Sequence, residues 1–213
     1  TAQLKSALQT LKTAFEVVDD KRDFNFSSLS NTKPEAIYAD FNTSTSVPGT
    51  YKLSVGQLAQ NDSIRSTAVS SQTADQNGTN AATVVITVGT GAATTLTLGA
   101  GATSLDDLVT GINNLDIDVT ARVVEVSTGS YRVVVEGPQG ADNALTITDS
   151  VFGITTNTSA ASYSSSSKTQ TAQNATVTVN GLSVSRSSNE VDDLVPGLKL
   201  DLMAVTSSDV VLS

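Results

Sequence analysis

Residues 47–60 read V-P-G-T-Y-K-L-S-V-G-Q-L-A-Q, and this stretch decides the fold. From Tyr51 to Val55 apolar side chains alternate with polar ones, so one face of an extended chain is apolar and the other is solvated. Gly56 interrupts this alternation, as a β-bulge or a close backbone approach does. The stretch therefore predicts a half-buried strand that needs a partner strand.

The predicted partner lies far along the chain. Residues 175–184 read A-T-V-T-V-N-G-L-S-V, in which Asn180 and Gly181 are a strong two-residue hairpin signal between two alternating runs. We expect this hairpin to pair with the strand of residues 47–60. The sequence between them then forms an inserted module.

The composition indicates a β-rich protein with hydroxyl-lined surfaces. Of the 213 residues, 38% are hydrophobic, and Ser and Thr supply roughly a quarter of the chain, well above their usual share. The absence of Cys and His excludes disulfides, thiolate zinc sites and histidine-based triads. We expect no enzymatic activity and no cofactor.

Charge and hydropathy exclude two classes of partner. The chain has 21 acidic and 12 basic residues, a net charge of -9 and a pI of about 4.3. Such a surface repels phosphate backbones and anionic lipids, so we expect neither nucleic acid nor membrane as a partner. No apolar run reaches the length of a membrane span.

The first residues show helical periodicity. Its apolar positions follow the spacing of a coiled-coil seam: Leu4, Leu8, Leu11, Phe15 and Val18. Because the pattern begins with the chain, we interpret residues 1–23 as the stub of a longer helical leg, with these five residues as packing positions. An amphipathic helix docked on the β-rich part fits two heptads equally well.

The middle of the chain predicts a separate β-rich unit. Two hairpins, at 83–98 and 119–136, flank a helix over residues 104–115, where Ser104 and Asp107 have capping-box spacing. A turn is predicted at 137–140, a further strand at 144–148 and a polar turn at 185–197. The polar segment 61–80, beyond a short strand at 64–69, and the Ser/Thr-rich segment 156–173 are interpreted as the two linkers.

These elements predict a mainly β (α+β) fold with two β-rich head domains, the outer one inserted into the inner one, and an N-terminal helical coiled-coil stub. The inner body comprises residues 30–77 and 166–213, and the outer domain comprises residues 78–165. The run G-S-Y-R-V-V-V at 129–135 echoes G-T-Y-K-L-S-V at 49–55, either as a distant repeat or as two strands after similar turns.

Several polar groups are candidate sites, and each has a simpler structural interpretation. Gly89 and Gly91 lack the helix and lysine of a nucleotide loop. The oxygen donors that follow Gly140 lack calcium-loop spacing: Asp142, Asn143 and Asp149. The adjacent pairs Asp106–Asp107 and Asp192–Asp193 point apart, unlike a glycosidase dyad. We therefore predict no catalytic, cofactor-binding or metal site.

Three stretches resemble one known family. G-T-Y-K-L-S-V-G-Q-L-A-Q at 49–60 resembles the N-terminal motif of hook-associated protein 2, the flagellar filament cap family. Residues 104–148 resemble a module shared by flagellins and hook-associated proteins. V-N-G-L-S-V-S-R-S-S-N at 179–189, followed by V-P-G at 195–197, resembles the start of the cap family's C-terminal region. The three matches occur in the family's order.

The resemblance implies a structural role outside the cell. Members of the family have coiled-coil legs and a β-rich body split by an outer domain, and their copies assemble at the distal tip of the bacterial flagellum. The implied partners are further copies of the chain in its full-length form, flagellin and hook-associated junction proteins. The implied localisation is secreted, at the filament tip.

Two alternatives remain open from the residues. The polar β composition suits an extracellular adhesin or carbohydrate-binding module, and binding of host mucin is a reported side role of the cap family. The chain lacks Trp, however, and is only 4% aromatic, so the stacking platform of sugar sites is missing. An acid-pair hydrolase depends entirely on the two adjacent aspartate pairs.

Overall fold

The structure is a computed structural model that describes residues 5–6, 9–10, 12, 28–41, 45–154 and 168–213. A single helix of the central segment, α1 (Leu105–Asn113), and a 3-10 turn at Ala141–Asn143 accompany the strands. The strands are β1 (Ile37–Phe41), β2 (Tyr51–Gln57), β3 (Asn61–Arg65), β4 (Ala82–Val88), β5 (Thr94–Leu98), β6 (Thr120–Ser127), β7 (Ser130–Gln139), β8 (Leu145–Asp149), β9 (Lys168–Gln170), β10 (Ala175–Val179), β11 (Leu182–Arg186), β12 (Glu190–Val191), β13 (Leu198–Leu202) and β14 (Val210–Leu212).

Two sheets built from both ends of the chain enclose one hydrophobic cluster, the inner core. One sheet has the order β11-β10-β2-β14 and the other β1-β13-β12. The inner core takes residues from before position 60 and after position 174. Its fully buried members are Ile37, Leu53, Val55, Ala175, Val177, Leu200, Val210 and Leu212.

The intervening chain forms a second cluster, the outer core. Its sheets have the orders β6-β7-β3-β9 and β5-β4-β8, and α1 packs against β5, β6 and β7. All described buried residues of this cluster lie within the range from Ile64 to Ile154. The prediction of a mainly β fold with one β-rich unit inserted into another is therefore confirmed.

The predicted central strand is confirmed as β2. Leu53 and Val55 are fully buried while Lys52 is exposed, which is the expected alternation. In the pairing with β10, Val55 lies opposite Val177 and Gln57 opposite Thr176. Gly56 is therefore the extra residue of a β-bulge, which is the first of the two predicted alternatives.

The predicted hairpin between β10 and β11 is also confirmed. Asn180 and Gly181 have φ angles of 49° and 87°, the left-handed conformations that a two-residue type I′ turn requires. The Asn180 side-chain oxygen accepts the Lys52 N–H at 2.9 Å, and the Asn180 N–H donates to the Lys52 carbonyl at 2.8 Å. The turn thereby fastens the hairpin to β2.

Helix α1 begins as predicted. The Ser104 hydroxyl accepts the Asp107 N–H at 3.1 Å, and the Asp107 carboxylate accepts the Ser104 N–H at 3.0 Å. These two bonds form the capping box. The helix ends at Asn113, two residues before the predicted end, yet Leu115 still packs against the outer core.

Three local predictions were wrong. Residues 168–170, assigned to a linker, form β9 on the edge of β3. Gly137 and Pro138, assigned to a turn, lie inside β7 as a bulge between the pairs Asn61–Gln139 and Ser63–Glu136. Residues 190–191, assigned to a polar turn, form β12, and Val191 is buried in the inner core.

The sheet pairing also differs from the predicted domain limits. Strand β3 was placed in the inner body, but it pairs with β7 and β9, and Ile64 belongs to the outer core. Gln60 and Gln173 form an isolated antiparallel bridge between the two cores. We propose that the units divide at this bridge rather than at residues 78 and 165.

Candidate functional site

The predicted helical seam cannot be placed, because Leu4, Leu8, Leu11, Phe15 and Val18 all lie outside the described residues. The described residues between them, 5–6, 9–10 and 12, are helical and exposed. The Thr10 hydroxyl donates to the Ser6 carbonyl one turn earlier, at 3.0 Å. The packing role of the seam therefore stays a prediction.

The first aspartate pair serves the helix start. The Asp107 carboxylate accepts the Ser104 hydroxyl at 2.5 Å as well as its N–H. The N–H of Asp106 donates to the Gln72 carbonyl at 3.2 Å, which holds the loop before α1 against the helix. Acids in a first helical turn are also favoured by the helix dipole.

The second aspartate pair lies on the surface of the inner sheets. The Asp193 carboxylate accepts two guanidinium N–H groups of Arg186 at 2.8 and 2.9 Å. The hydrogen bond from Arg186 lowers the pKa of Asp193, and the same bond raises the pKa of Arg186. Asp193 is thus held in a bidentate ion pair, which is not the arrangement of an acid–base dyad.

The three predicted oxygen donors are spread over one turn and one strand end. Asp142 and Asn143 form the 3-10 turn. Asp149 ends β8, and its carboxylate accepts the N–H groups of residues 151–154 at 2.6 to 3.1 Å. Within the described ranges no group of three or more acidic residues could hold a metal ion.

The polar residues that matter most to the architecture lie where the chain passes between the cores. Asp62 of β3 is fully buried. Its carboxylate accepts the Leu145 N–H at 2.6 Å, the Ala172 N–H at 2.7 Å and the Lys168 ammonium at 2.7 Å. The Asp62 side chain therefore joins β3, on which the chain leaves the inner unit, to β8 and to residues 168–172, on which the chain returns.

A second set of bonds ties the passage to the inner sheets. Gln60 and Gln173 exchange both backbone hydrogen bonds, at 2.9 and 3.1 Å. The Asn189 side chain pairs with both backbone groups of Ala59, at 2.7 and 3.0 Å, and the Asn189 N–H donates to the Gln139 side chain at 3.2 Å. Asn189 therefore contacts both the passage and the end of β7.

The contact between the two units is also sterically tight. Gly140 has a φ of 101°, and a Cβ placed on it would lie 2.6 Å from the Cβ of Ser187. The Ala141 N–H donates to the Asn174 side chain at 2.8 Å. We call this region, residues 57–62, 139–141, 168–174 and 187–189, the junction; its dense bonding fixes how the outer unit sits on the inner one.

Sequence reasoning missed the junction. Residue 62 lies in a polar segment that was interpreted as a strand leading into a linker, and neither Asp62 nor Asn189 was singled out. A signal was nevertheless present, because Asp62 and Ile64 are two residues apart and share the buried face of one strand. An acid on a buried face requires a partner.

Among the described residues no helix is long and apolar enough to cross a membrane.

The outer face of β11, β10 and β2 is lined with hydroxyl groups on alternating positions. They are Ser54, Thr176, Thr178, Ser183 and Ser185. This hydroxyl face is a second candidate site, suited to wet and reversible contacts.

Comparison with known proteins identifies a matching family model and a relative of this chain. The family model described as flagellar hook-associated protein 2 C-terminus matches residues 172–213. Flagellar hook-associated protein 2 of Escherichia coli (strain K12) is 29% identical over 198 residues, covering 89% of this chain and 42% of that protein. The chain thus spans less than half the length of this relative.

Solved structures match over both cores. The D2-D3 domains of the flagellar cap protein FliD from Escherichia coli align with a TM-score of 0.75 at 27% identity, covering 87% of this chain and 96% of that one. Those of Serratia marcescens align with a TM-score of 0.70 at 30% identity, covering 81% and 95%. The order of the matching sequence stretches, the two-core architecture and the family-model match all agree. The chain belongs to the flagellar hook-associated protein 2 family.

Proposed function

We propose that this protein is a structural component of the bacterial flagellum that caps the growing filament as an oligomer and promotes the assembly of flagellin. One observation carries the proposal: both cores together align with nearly the full length of two structures described as flagellar cap protein D2-D3 domains. The partners are further copies of the chain, flagellin and hook-associated junction proteins. The protein is secreted and acts at the distal filament tip.

The proposed mechanism is mechanical and involves no chemical step. A cap must keep a defined shape while subunits are added beneath it, and the junction supplies rigidity through the buried Asp62 and its three donors. The hydroxyl face offers contacts that are readily exchanged with water. Rigid units joined by weak contacts allow the cap to shift as each flagellin subunit is inserted.

The acid-pair hydrolase hypothesis gains nothing from the geometry, since Asp107 caps α1 and Asp193 pairs with Arg186. Mucin binding stays a prediction from the resemblance. It would be an additional property of the same extracellular surface rather than a competing function.

The test is deletion of the gene in its natural host, followed by complementation. We expect deletion to abolish filaments and to release unassembled flagellin into the medium, and the unaltered gene to restore filaments. A matched control carries Asp116→Asn, a substitution at an exposed position, and should restore growth equally. Normal filaments in the deletion strain would refute the proposal.

A further inference from the structure

The outward face of the sheet β6-β7-β3 carries arginine and valine side chains. Pairing places Arg65 opposite Val134, Val134 opposite Arg122, and Val124 opposite Arg132. None of these five residues contributes to the outer core, whereas their strand neighbours Ile64, Val123, Val133 and Val135 do. We call this surface, completed by the exposed Val126, the arginine face.

The arginine face has excess positive charge in an otherwise acidic chain. Arg122 forms an ion pair with Glu136. Arg132 donates to the Ser66 carbonyl at 2.5 Å, and within the described ranges neither Arg65 nor Arg132 has an acidic partner. Because Arg65 lies opposite Val134, Arg132 is its diagonal neighbour, at a separation of roughly 7 Å. Two adjacent, unneutralised cations favour an incoming anionic surface.

The inner unit presents the opposite charge on the outward face of β1-β13-β12. Tyr38 lies opposite Asp201, Asp40 opposite Lys199, and Glu190 opposite Asp201. We call this surface, with Asp192 and Met203 at its margins, the acidic face. Glu190 pairs with Lys199 at 2.9 Å. The described residues of this sheet include no further lysine or arginine that could pair with the other three carboxylates, those of Asp40, Asp192 and Asp201.

Two observations show that the acidic face lacks donors. The hydrogen bond that Lys199 donates to Glu190 raises the pKa of Lys199, and the charges of Glu190, Asp201 and Asp192 raise it further. One carboxylate oxygen of Asp201, Oδ1, is buried without a hydrogen-bond partner among the described residues. An unsatisfied buried acceptor is unfavourable, so a further negative charge at this position is poorly compensated within the inner unit.

We propose that the arginine face of one copy binds the acidic face of a second copy of this chain. Both faces combine charges with exposed apolar side chains, Val126 on one and Tyr38 and Met203 on the other, each 51 to 53% exposed. That mixture is typical of protein interfaces. A second copy of the chain carries the acidic face and is present at the same concentration as the first. Because the net charge is -9, most other surfaces of the chain repel an acidic partner.

The contact is heterologous, because it joins two different surfaces. Repetition of such a contact closes a ring or extends a filament. The inference deepens the proposed cap function by naming surfaces through which copies meet, and it rests on that function only for its relevance to filament growth.

The test uses charge reversal in the intact natural protein, with assembly measured by sedimentation velocity over a concentration and salt series. One variant carries Arg65→Glu and Arg132→Glu, and the other carries Asp40→Lys and Asp192→Lys. The matched controls reverse charge at exposed positions outside both faces: Asp116→Lys with Asp142→Lys, and Asp118→Lys with Asp209→Lys.

We expect each face variant alone to associate about tenfold more weakly or worse, and an equimolar mixture of the two to regain association. The controls should assemble like the unaltered protein. Assembly of both face variants at normal strength, failure of the mixture to regain association, or an unaltered protein that stays monomeric would overturn the inference.

Folding of each variant is checked by its unfolding transition. If a reversal variant does not fold, Arg65→Gln with Arg132→Gln and Asp40→Asn with Asp192→Asn replace the two, and weaker assembly is again required of each. Filament growth in the deletion strain is measured separately. If a variant assembles normally and restores filament growth, the two faces are rejected as the contact between copies, while the cap function is retained.

Discussion

The residue with the largest expected effect on the fold is Asp62. It is a buried carboxylate with two backbone donors and one ammonium donor, drawn from three different segments. A buried ion pair contributes little when compared with an apolar replacement, but removal of one partner is costly because it leaves the other unpaired.

Asp62→Asn is predicted to destabilise the protein by about 3–5 kcal/mol. The amide keeps one acceptor oxygen but turns an NH₂ group toward donors, so the Lys168 ammonium loses its counter-charge. Urea unfolding measures the loss, and Asp116→Asn is the control with an expected change within about 0.5 kcal/mol. Equal stability of the two variants would contradict the assigned role of Asp62.

The exposed pair Arg186–Asp193 leads to a prediction about pH. Because the folded-state pKa of Asp193 is lowered, the pair stabilises the fold above the unfolded pKa of about 3.9, and this contribution is lost as the pH falls through the folded pKa. We expect Arg186→Gln to move the pKa of Asp193 upward, as measured by NMR titration. An unchanged pKa would show that the bidentate pair does not persist in solution.

At the scale of elements, the sequence predicted what local chemistry determines. The alternation in β2, the Asn180–Gly181 turn and the Ser104–Asp107 capping box each appear in the structure as expected. The strands that were missed are short or polar. Lys168–Gln170 has no apolar side chain, and β3 has only Ile64, so both depend on pairing with distant strands that periodicity does not reveal.

The β10–β11 hairpin provides the test at this scale. Asn180→Ala is predicted to cost about 1–3 kcal/mol, because alanine disfavours the left-handed conformation and the bond to the Lys52 N–H is lost. Asn180→Asp keeps the acceptor and tolerates the conformation, so it should cost clearly less. Chemical denaturation compares the two, and a larger loss in the aspartate variant would refute the turn assignment.

At the scale of the whole molecule, two units share one chain and meet at the junction. Among the residues that the structure describes, the inner core has no buried member between residues 60 and 174, and the outer core has none outside residues 64–154. The sequence indicated this insertion from the separation of two matching strands. The limits that we propose at residues 60 and 173 differ from the predicted ones because both passages are polar, and composition alone does not show to which sheet a polar strand belongs.

Excision tests the proposed limits. Because Gln60 and Gln173 already exchange both backbone bonds, removing residues 61–172 and joining the ends through Asn-Gly should close a hairpin. We expect the remaining inner unit to unfold cooperatively on heating. Removal of residues 78–165 instead leaves β3 and β9 without β7, and that protein should be less stable or aggregate. The reverse order of stability would place the boundary at residues 78 and 165.

The most direct measurement of the central claim is the position of the protein on intact flagella, determined by immunogold electron microscopy on the natural host with the deletion strain as the control for labelling. The cap function predicts label at the distal ends of filaments and none along their length. Label distributed over the cell surface, or confined to the filament base, would contradict it.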